Sequence, residues 1–199
     1  ILNCAFGCSH RITKSIKMLP QLMKTQNKLV VAGTLLNQEI KKLGHFGQRI
    51  INQPSKTVVV AGGAKVSDKI NVLKQFVQAG VKAIFIGGKM ANTFLIAQKS
   101  KTKMVPFRLS DIPRTLLSSS EESNKILVNE VGLAGEVLDF ASDKKVNLVF
   151  PDDYKCVDKF KAPTFFIAAE PDFEKVLQLD LGPKTIENFK KTILSNGIE

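Results

Sequence analysis

From residue 57 onward the apolar positions fall into short runs punctuated by glycine. Thr57-Val58-Val59-Val60-Ala61 is a β-branched stretch stopped by Gly62-Gly63, the pattern of a strand buried in a parallel sheet. Ser67-Asp68-Lys69-Ile70 opens a predicted helix to about Gln78, with Ile70, Val72, Leu73, Phe76 and Val77 apolar and Gly80 as its stop. Lys82-Ala83-Ile84-Phe85-Ile86 predicts a second strand, again ended by a glycine pair, Gly87-Gly88, and a helix follows from Met90 to about Gln98. Two strand–Gly-Gly–helix units in succession predict an α/β fold: a three-layer, doubly wound parallel sheet. Its first two strands should end at Gly62 and Gly87, which puts the residues after them at the carboxyl edge where such sheets bind ligands.

The pattern continues less regularly. Residues 99–124, rich in Lys, Ser and Pro, read as a connection. A helix is predicted near Leu133–Ser142 and a strand over Val146–Phe150, stopped by Pro151. After an irregular stretch holding Pro163 and Pro171, Val176–Leu179 reads as a strand, and Gly182-Pro183-Lys184-Thr185 opens a last helix carrying Ile186, Phe189 and Ile193. Before residue 57 the dominant feature is a long helical pattern from Leu35 to about Ile51, interrupted by Gly44 and Gly47 and closed by Pro54. It lies where a connector between domains would sit. There is no internal repeat.

Composition narrows the class. With 199 residues and 44% hydrophobic content, the chain has material for one globular domain, or for one domain and a piece of a second. Charged residues make up 24%, which argues against disorder and fibrous architectures. No apolar run approaches the roughly 20 residues of a membrane span. The opening Ile1-Leu2-Asn3-Cys4 has neither a Met nor a signal-peptide layout, as expected of an internal or processed segment. Three cysteines do not make a disulfide framework, and the expected setting is a reducing, intracellular one. Cys4 and Cys8 with two histidines fall short of a metal site, and Cys8 with His10 lacks an orienting third group for nucleophilic catalysis.

Charge is unevenly spread. Residues 1–57 hold nine Lys/Arg against a single acid, Glu39, whereas residues 58–199 hold twenty against seventeen. A basic segment of this kind suits an acidic partner, an anionic lipid, a phosphorylated small molecule or a nucleic acid. One Tyr and no Trp offer little for base stacking, which disfavours the last.

The strongest local signal for chemistry is Gly62-Gly63-Ala64-Lys65-Val66-Ser67-Asp68-Lys69. Glycines admit close approach of backbone to phosphate, and the helix start behind them offers unpaired N–H groups. Lys65 and Lys69, four apart, can present two cations on one side of the turn. The segment is not a Walker A loop. These residues alone leave open a plain solvated turn.

Taken with other stretches, the segment resembles the phosphoglycerate kinase family, in which a similar Gly-Gly-Ala-Lys-Val-Ser-Asp-Lys signature opens the nucleotide domain. Ala5-Phe6-Gly7-Cys8-Ser9-His10-Arg11 resembles that family's Ala-Phe-Gly-Thr-Ala-His-Arg segment. Ala32-Gly33 with Leu35-Leu36 and Glu39 resembles the entry to its interdomain helix. Ile86-Gly87-Gly88-Lys89-Met90-Ala91-Asn92-Thr93-Phe94-Leu95 resembles its Gly-Gly-Gly-Met-Ala-x-Thr-Phe segment. Pro151-Asp152-Asp153 resembles its Leu-Pro-Val-Asp turn, and Leu179-Asp180-Leu181-Gly182-Pro183-Lys184-Thr185-Ile186 its later Gly-Pro segment.

The resemblance implies Rossmann-like architecture: residues 1–33 as a remnant of a substrate domain, 34–56 as the interdomain helix, and 57–199 as part of a nucleotide domain. It implies phosphoryl transfer between 1,3-bisphosphoglycerate and ADP, the reverse using 3-phosphoglycerate and ATP, with Mg as metal ion. Arg11 and neighbouring His10 would hold the phosphoglycerate, and Lys65 with Arg11 would serve catalysis. Gly62, Gly63, Ala64, Lys65, Lys69, Gly88 and Leu179 would receive the nucleotide, Leu179 as an apolar wall for adenine.

Departures from the family pattern point to lost activity. Cys4 stands where the family has Asp, and Thr13 where it has a second His. Lys89 replaces the third glycine of Gly-Gly-Gly, and Gln178 replaces a pocket glycine. Thr192-Ile193-Leu194-Ser195-Asn196-Gly197-Ile198-Glu199 resembles a worn Trp-Asn-Gly-Pro segment, and most of the substrate domain and the later Gly-Gly-Gly-Asp-Thr segment with its metal-serving Asp are missing. The expectation is a kinase homologue inactive as this chain alone. The alternative is a non-catalytic scaffold whose residues 1–57 contact an anionic or protein partner.

Overall fold

The computed structural model describes residues 1–102, 121–158, 164–169 and 177–195. The chain forms two compact units, Ile1–Asn52 and Gln53–Glu199. In the first, strands β1 (Leu2–Asn3) and β2 (Val31–Ala32) pair in parallel. Between them a 3-10 turn over Phe6–Cys8 and a wide π-type turn over Lys14–Met18 lead into helix α1 (Leu19–Thr25). Helix α2 (Thr34–Asn52) follows, running through Gly44 and Gly47 without a break. Gly33 is the one buried residue of this unit, held against Cys4, whose Sγ a side chain at position 33 would strike.

The second unit is built on a parallel sheet. Strands β3 (Val58–Gly62), β4 (Ala83–Gly87) and β5 (Asn147–Val149) lie side by side in that order. β4 is central, so both faces of the strand must be apolar, and Ala83, Ile84, Phe85 and Ile86 are all buried. Gly62 pairs with Gly87, placing both glycine pairs at the carboxyl ends of their strands, as the sequence predicts. Helix α3 (Ile70–Ala79) buries Leu73 and Val77, one turn apart, and ends at left-handed Gly80. Helix α4 (Gly88–Thr102) starts directly at the end of β4. Helix α5 (Glu121–Asp143) packs against α3 and α4.

α5 is longer than the predicted Leu133–Ser142, and α4 extends past Gln98. The connection predicted over 99–124 is therefore helical at both ends, and its middle, 103–120, lies outside the described residues. So do Pro163, Pro171, Val176 and the segment from Asn196 to Glu199. The predicted helix start at Ser67 is also corrected: residues 67–69 form a turn and the helix begins at Ile70.

The α/β class and the parallel pairing stand as expected, but the fold adds a second sheet of the other kind. Strands β6 (Tyr154–Val157), β7 (Phe166–Ala168) and β8 (Leu177–Leu181) pair antiparallel in the order β7-β6-β8. Along β8, Asp180 faces Lys155 and Gln178 faces Cys156, leaving Leu179 as the extra residue of a bulge.

The last helix, α6 (Pro183–Ser195), is fastened by a buried cap. Pro183 has no N–H to satisfy, and the Asp153 carboxylate accepts the next two, from Lys184 (3.1 Å) and Thr185 (2.7 Å). The Thr185 hydroxyl donates to Asp153 Oδ1 (2.6 Å) and accepts the N–H groups of Asp152 and Asp153 (2.9 Å each). A Cβ at position 182 would overlap the Asp153 carboxylate, so the residue before Pro183 has to be glycine. The cap sets α6 so that Phe189 meets Phe85 of the central strand, ring centroids 4.7 Å apart, in a cluster with Ala83.

Burial pushes the Asp153 carboxyl upward, but the hydrogen bonds from Thr185 and Lys184 and the Lys184 charge outweigh it and hold the group below its ordinary value of 3.8. A depressed carboxyl contributes stability that is complete above the unfolded pKa and disappears as pH falls through the folded one. Asp153→Asn should therefore cost about 1–3 kcal/mol at neutral pH, the worth of hydrogen bonds to a buried charge. It should also flatten the loss of stability below the ordinary value of 3.8. Urea unfolding at neutral and acid pH measures both, and a variant with the wild-type acid slope contradicts the assignment.

Candidate functional site

The carboxyl edge of the parallel sheet brings together most of the residues singled out in the second unit. Gly88 has φ +65° and lies so close to the turn after β3 that a Cβ there would sit 3.2 Å from the backbone N and O of Gly63. Both the left-handed conformation and the contact require glycine. The Met90 N–H donates to Gly63 O at 2.9 Å, tying the first turn of α4 to the same loop. Gly62 and Gly63 themselves have room: an added Cβ would find only ordinary contacts, with Gly87 O at 3.7 Å and the Lys69 side chain at 3.9 Å.

Gly63, Ala64, Lys65 and Lys69 are exposed in the turn between β3 and α3, and the Lys69 stem passes over Gly63. Because the helix starts at Ile70, the two lysines belong to the turn, not to one helix face. Val66 is fully buried beneath it. Behind the turn lies a residue that sequence reasoning missed: Glu130 of α5, buried, whose Oε2 accepts the N–H groups of Val66 (2.5 Å) and Ser67 (2.9 Å). No local signal marks it, since the contact spans more than sixty residues.

Leu179 is half exposed in the β8 bulge. Gln178 is turned toward α4, where its Oε1 accepts the Asn92 amide at 2.7 Å. Asn92 is buried, and its own Oδ1 has no hydrogen-bond partner among the described residues. Lys89 is exposed on the first turn of α4. Asp153, singled out within a motif, proves to be the cap of α6.

In the first unit His10 and Arg11 are exposed, with Arg11 Nε donating to His10 Nε2 at 3.4 Å. Arg11 also borders a groove of about 480 Å³ whose lining includes Lys17 and Lys24.

Two lysines, glycine-rich backbone and a helix start suit a diphosphate. Among the described residues no three His, Cys, Asp or Glu cluster, and Glu130 is engaged by two N–H groups. No described helix is long and apolar enough to cross a membrane.

The arrangement is that of open α/β proteins whose ligand chemistry gathers at the carboxyl edge of a parallel sheet. The chain belongs to the phosphoglycerate kinase family, whose model, described as "Phosphoglycerate kinase", matches residues 1–198. It is 37% identical over 195 residues to phosphoglycerate kinase of Lactobacillus delbrueckii subsp. lactis, an alignment covering 96% of this chain and 41% of that protein. It is 33% identical over 193 residues to the cytosolic phosphoglycerate kinase of Trypanosoma congolense, covering 95% and 39% respectively. Among solved structures, phosphoglycerate kinase from Pyrococcus horikoshii OT3 superposes with a TM-score of 0.69 at 23% identity, over 96% of this chain and 42% of that one, a likeness of fold. Phosphoglycerate kinase from Coxiella burnetii superposes with a TM-score of 0.55 at 26% identity, over 80% and 36%. The chain thus spans about two fifths of the length of these curated relatives.

The geometry separates the glycines by their need. Gly88→Ala should destabilise the second unit by about 1–3 kcal/mol, through backbone strain and overlap with Gly63. Gly62→Ala should stay within about 0.5 kcal/mol of wild type, as at an uncrowded surface position. Urea unfolding of both variants measures this; equal losses would refute it.

Proposed function

We propose that this chain is a phosphate-binding relative of phosphoglycerate kinase that holds the diphosphate of ADP or ATP at the turn after β3 and does not by itself carry out phosphoryl transfer. The observation that carries the reading is the Gly63–Gly88 contact, with Lys65 and Lys69 exposed beside it at the carboxyl edge of the sheet. Lys65 and Lys69 neutralise phosphate oxygens, while the N–H groups of Gly63, Ala64 and Lys65 direct them. Arg11, with His10, receives the carboxylate or phosphate of 3-phosphoglycerate or 1,3-bisphosphoglycerate, for which its planar fork is suited.

Transfer between these ligands asks for positioning and neutralisation of charge from several sides, with Mg supplying part of it. The 199 residues contain no Gly-Gly-Gly-Asp-Thr segment, and among the described residues no three His, Cys, Asp or Glu cluster. Residues 1–33 and 34–56 are read as substrate-domain and interdomain pieces, and the free thiols of Cys4, Cys8 and Cys156 suit a reducing, intracellular setting.

A second reading, a non-catalytic scaffold, draws on Gln178. Where the family has a pocket glycine, this chain has a side chain engaged as a strut between β8 and α4. A scaffold gains from such a strut, and a nucleoside pocket loses space. Its partner would be an anionic surface or protein that meets the basic residues 1–57.

Titration calorimetry with ADP at low and physiological salt separates the two. The expected result is millimolar affinity, weakened strongly by salt, abolished in Lys65→Met/Lys69→Met and improved in Lys89→Gly. No turnover near about 1 s⁻¹, the low end for kinases, is expected in a coupled assay with phosphoglycerate. Absence of lysine-dependent ADP binding favours the scaffold, and turnover at that rate overturns the claim of inactivity.

A further inference from the structure

A buried carboxylate stands behind the turn that carries Lys65 and Lys69. Glu130 is only 6% exposed, and burying a charge of this kind is costly unless donors satisfy it. The donors here are backbone N–H groups of the turn itself, Val66 at 2.5 Å and Ser67 at 2.9 Å, both meeting the same oxygen, Oε2. Such charge-assisted bonds are stronger than neutral ones and fix direction. They draw two consecutive N–H groups inward, toward α5. Gly63, Ala64 and Lys65, immediately before them, are left exposed, and Val66 is pinned beneath the turn at zero exposure.

We propose that Glu130 is a positioning residue for the anion site: its carboxylate divides the turn, reserving the N–H groups of Val66 and Ser67 for the interior and presenting those of Gly63–Lys65, with the two lysine side chains, to phosphate. The inference rests on the phosphate-binding reading above and adds which donors serve the ligand and what holds them. It also sets two opposing electrostatic effects against each other. A negative charge behind an anion site repels the ligand, whereas the latch made by that charge orders the donors. Because one oxygen accepts both bonds, glutamine can keep the latch without the charge, and the effects are separable.

The experiment is a titration of the full chain with pyrophosphate, followed by backbone amide NMR, in wild type, Glu130→Gln and Glu130→Ala. In wild type, the amides of Gly63–Lys65 should shift on titration while those of Val66 and Ser67 stay put. Glu130→Ala should bind about tenfold more weakly, the consequence of roughly one lost charged hydrogen bond's worth of ordering. Glu130→Gln should bind at least as tightly as wild type and keep its pattern of shifts, a rescue that a merely space-filling role does not give.

Glu130→Ala binding as tightly as wild type, or Val66 and Ser67 responding as strongly as Gly63, overturns the positioning role. Where Glu130→Ala fails to fold, the wild-type pattern and Glu130→Gln decide: loss of binding in Glu130→Gln, or a response at Val66 and Ser67, counts against it. Pyrophosphate bound in the expected way with no further gain from ADP leaves the positioning role standing and removes the nucleoside from the functional reading. No pyrophosphate binding by the unmodified chain overturns both.

Discussion

The arrangement of the second unit depends on the buried exchange between Asp153 and Thr185. One carboxylate and one hydroxyl satisfy four backbone N–H groups, two on α6 and two on the turn that precedes β6. That turn follows the last strand of the parallel sheet and leads into the middle strand of the antiparallel one. The interaction therefore fixes in one place the exit from the first sheet, the entry to the second and the helix whose Phe189 completes the core beneath Phe85. Left open, the two buried donors, on Asp153 and Thr185, would be unsatisfied away from water, where each costs about 1–3 kcal/mol. Gly182 is glycine because the carboxylate occupies the place of its side chain.

What the sequence made legible follows from where the information is local. β3 and β4 could be read because a β-branched or fully apolar run ended by paired glycines is a short-range signature of a buried parallel strand. The end of α3 could be read from Gly80 for the same reason. Its start could not: Ser67-Asp68 resembles an N-cap, yet residues 67–69 form a turn in which the Lys69 N–H donates to Val66 O at 2.9 Å, and the helix begins at Ile70. Of the antiparallel sheet only β8 was legible, as the strand expected at Val176–Leu179; β6 and β7 have four and three residues, and β6 pairs with β8 through a bulge that no periodicity announces. The first turn of α5, Glu121-Glu122-Ser123-Asn124, is polar and falls within the predicted connection. The helix is supported there by Glu121 and Glu122 in its first turn and by the Glu121–Lys125 pair at 3.0 Å.

The candidate site was legible in part, and the family motifs carried it further than the residue types did. Gly88 stands out as a glycine required on two counts, and the exposed lysines follow from the turn. Pro151-Asp152-Asp153 and Gly182-Pro183-Lys184-Thr185, two separate matches in sequence, are in space the two halves of one cap. Their persistence speaks for the fold and not for a ligand. Gln178, which stands where the resemblance puts a pocket glycine, meets Asn92 in a contact between a strand and a helix.

Strand β3 lies at an edge of its sheet among the described residues, and Val60 on it is 71% exposed. The run Val58-Val59-Val60 combines high strand propensity with no charge, a combination that recruits a second chain along an open edge. Lys56 and Lys65 flank it at either end, the placement of charges that discourage such stacking. The lysine proposed as a phosphate ligand thus has a second effect, on colloidal behaviour: neutralising it leaves the valine edge guarded from one side only.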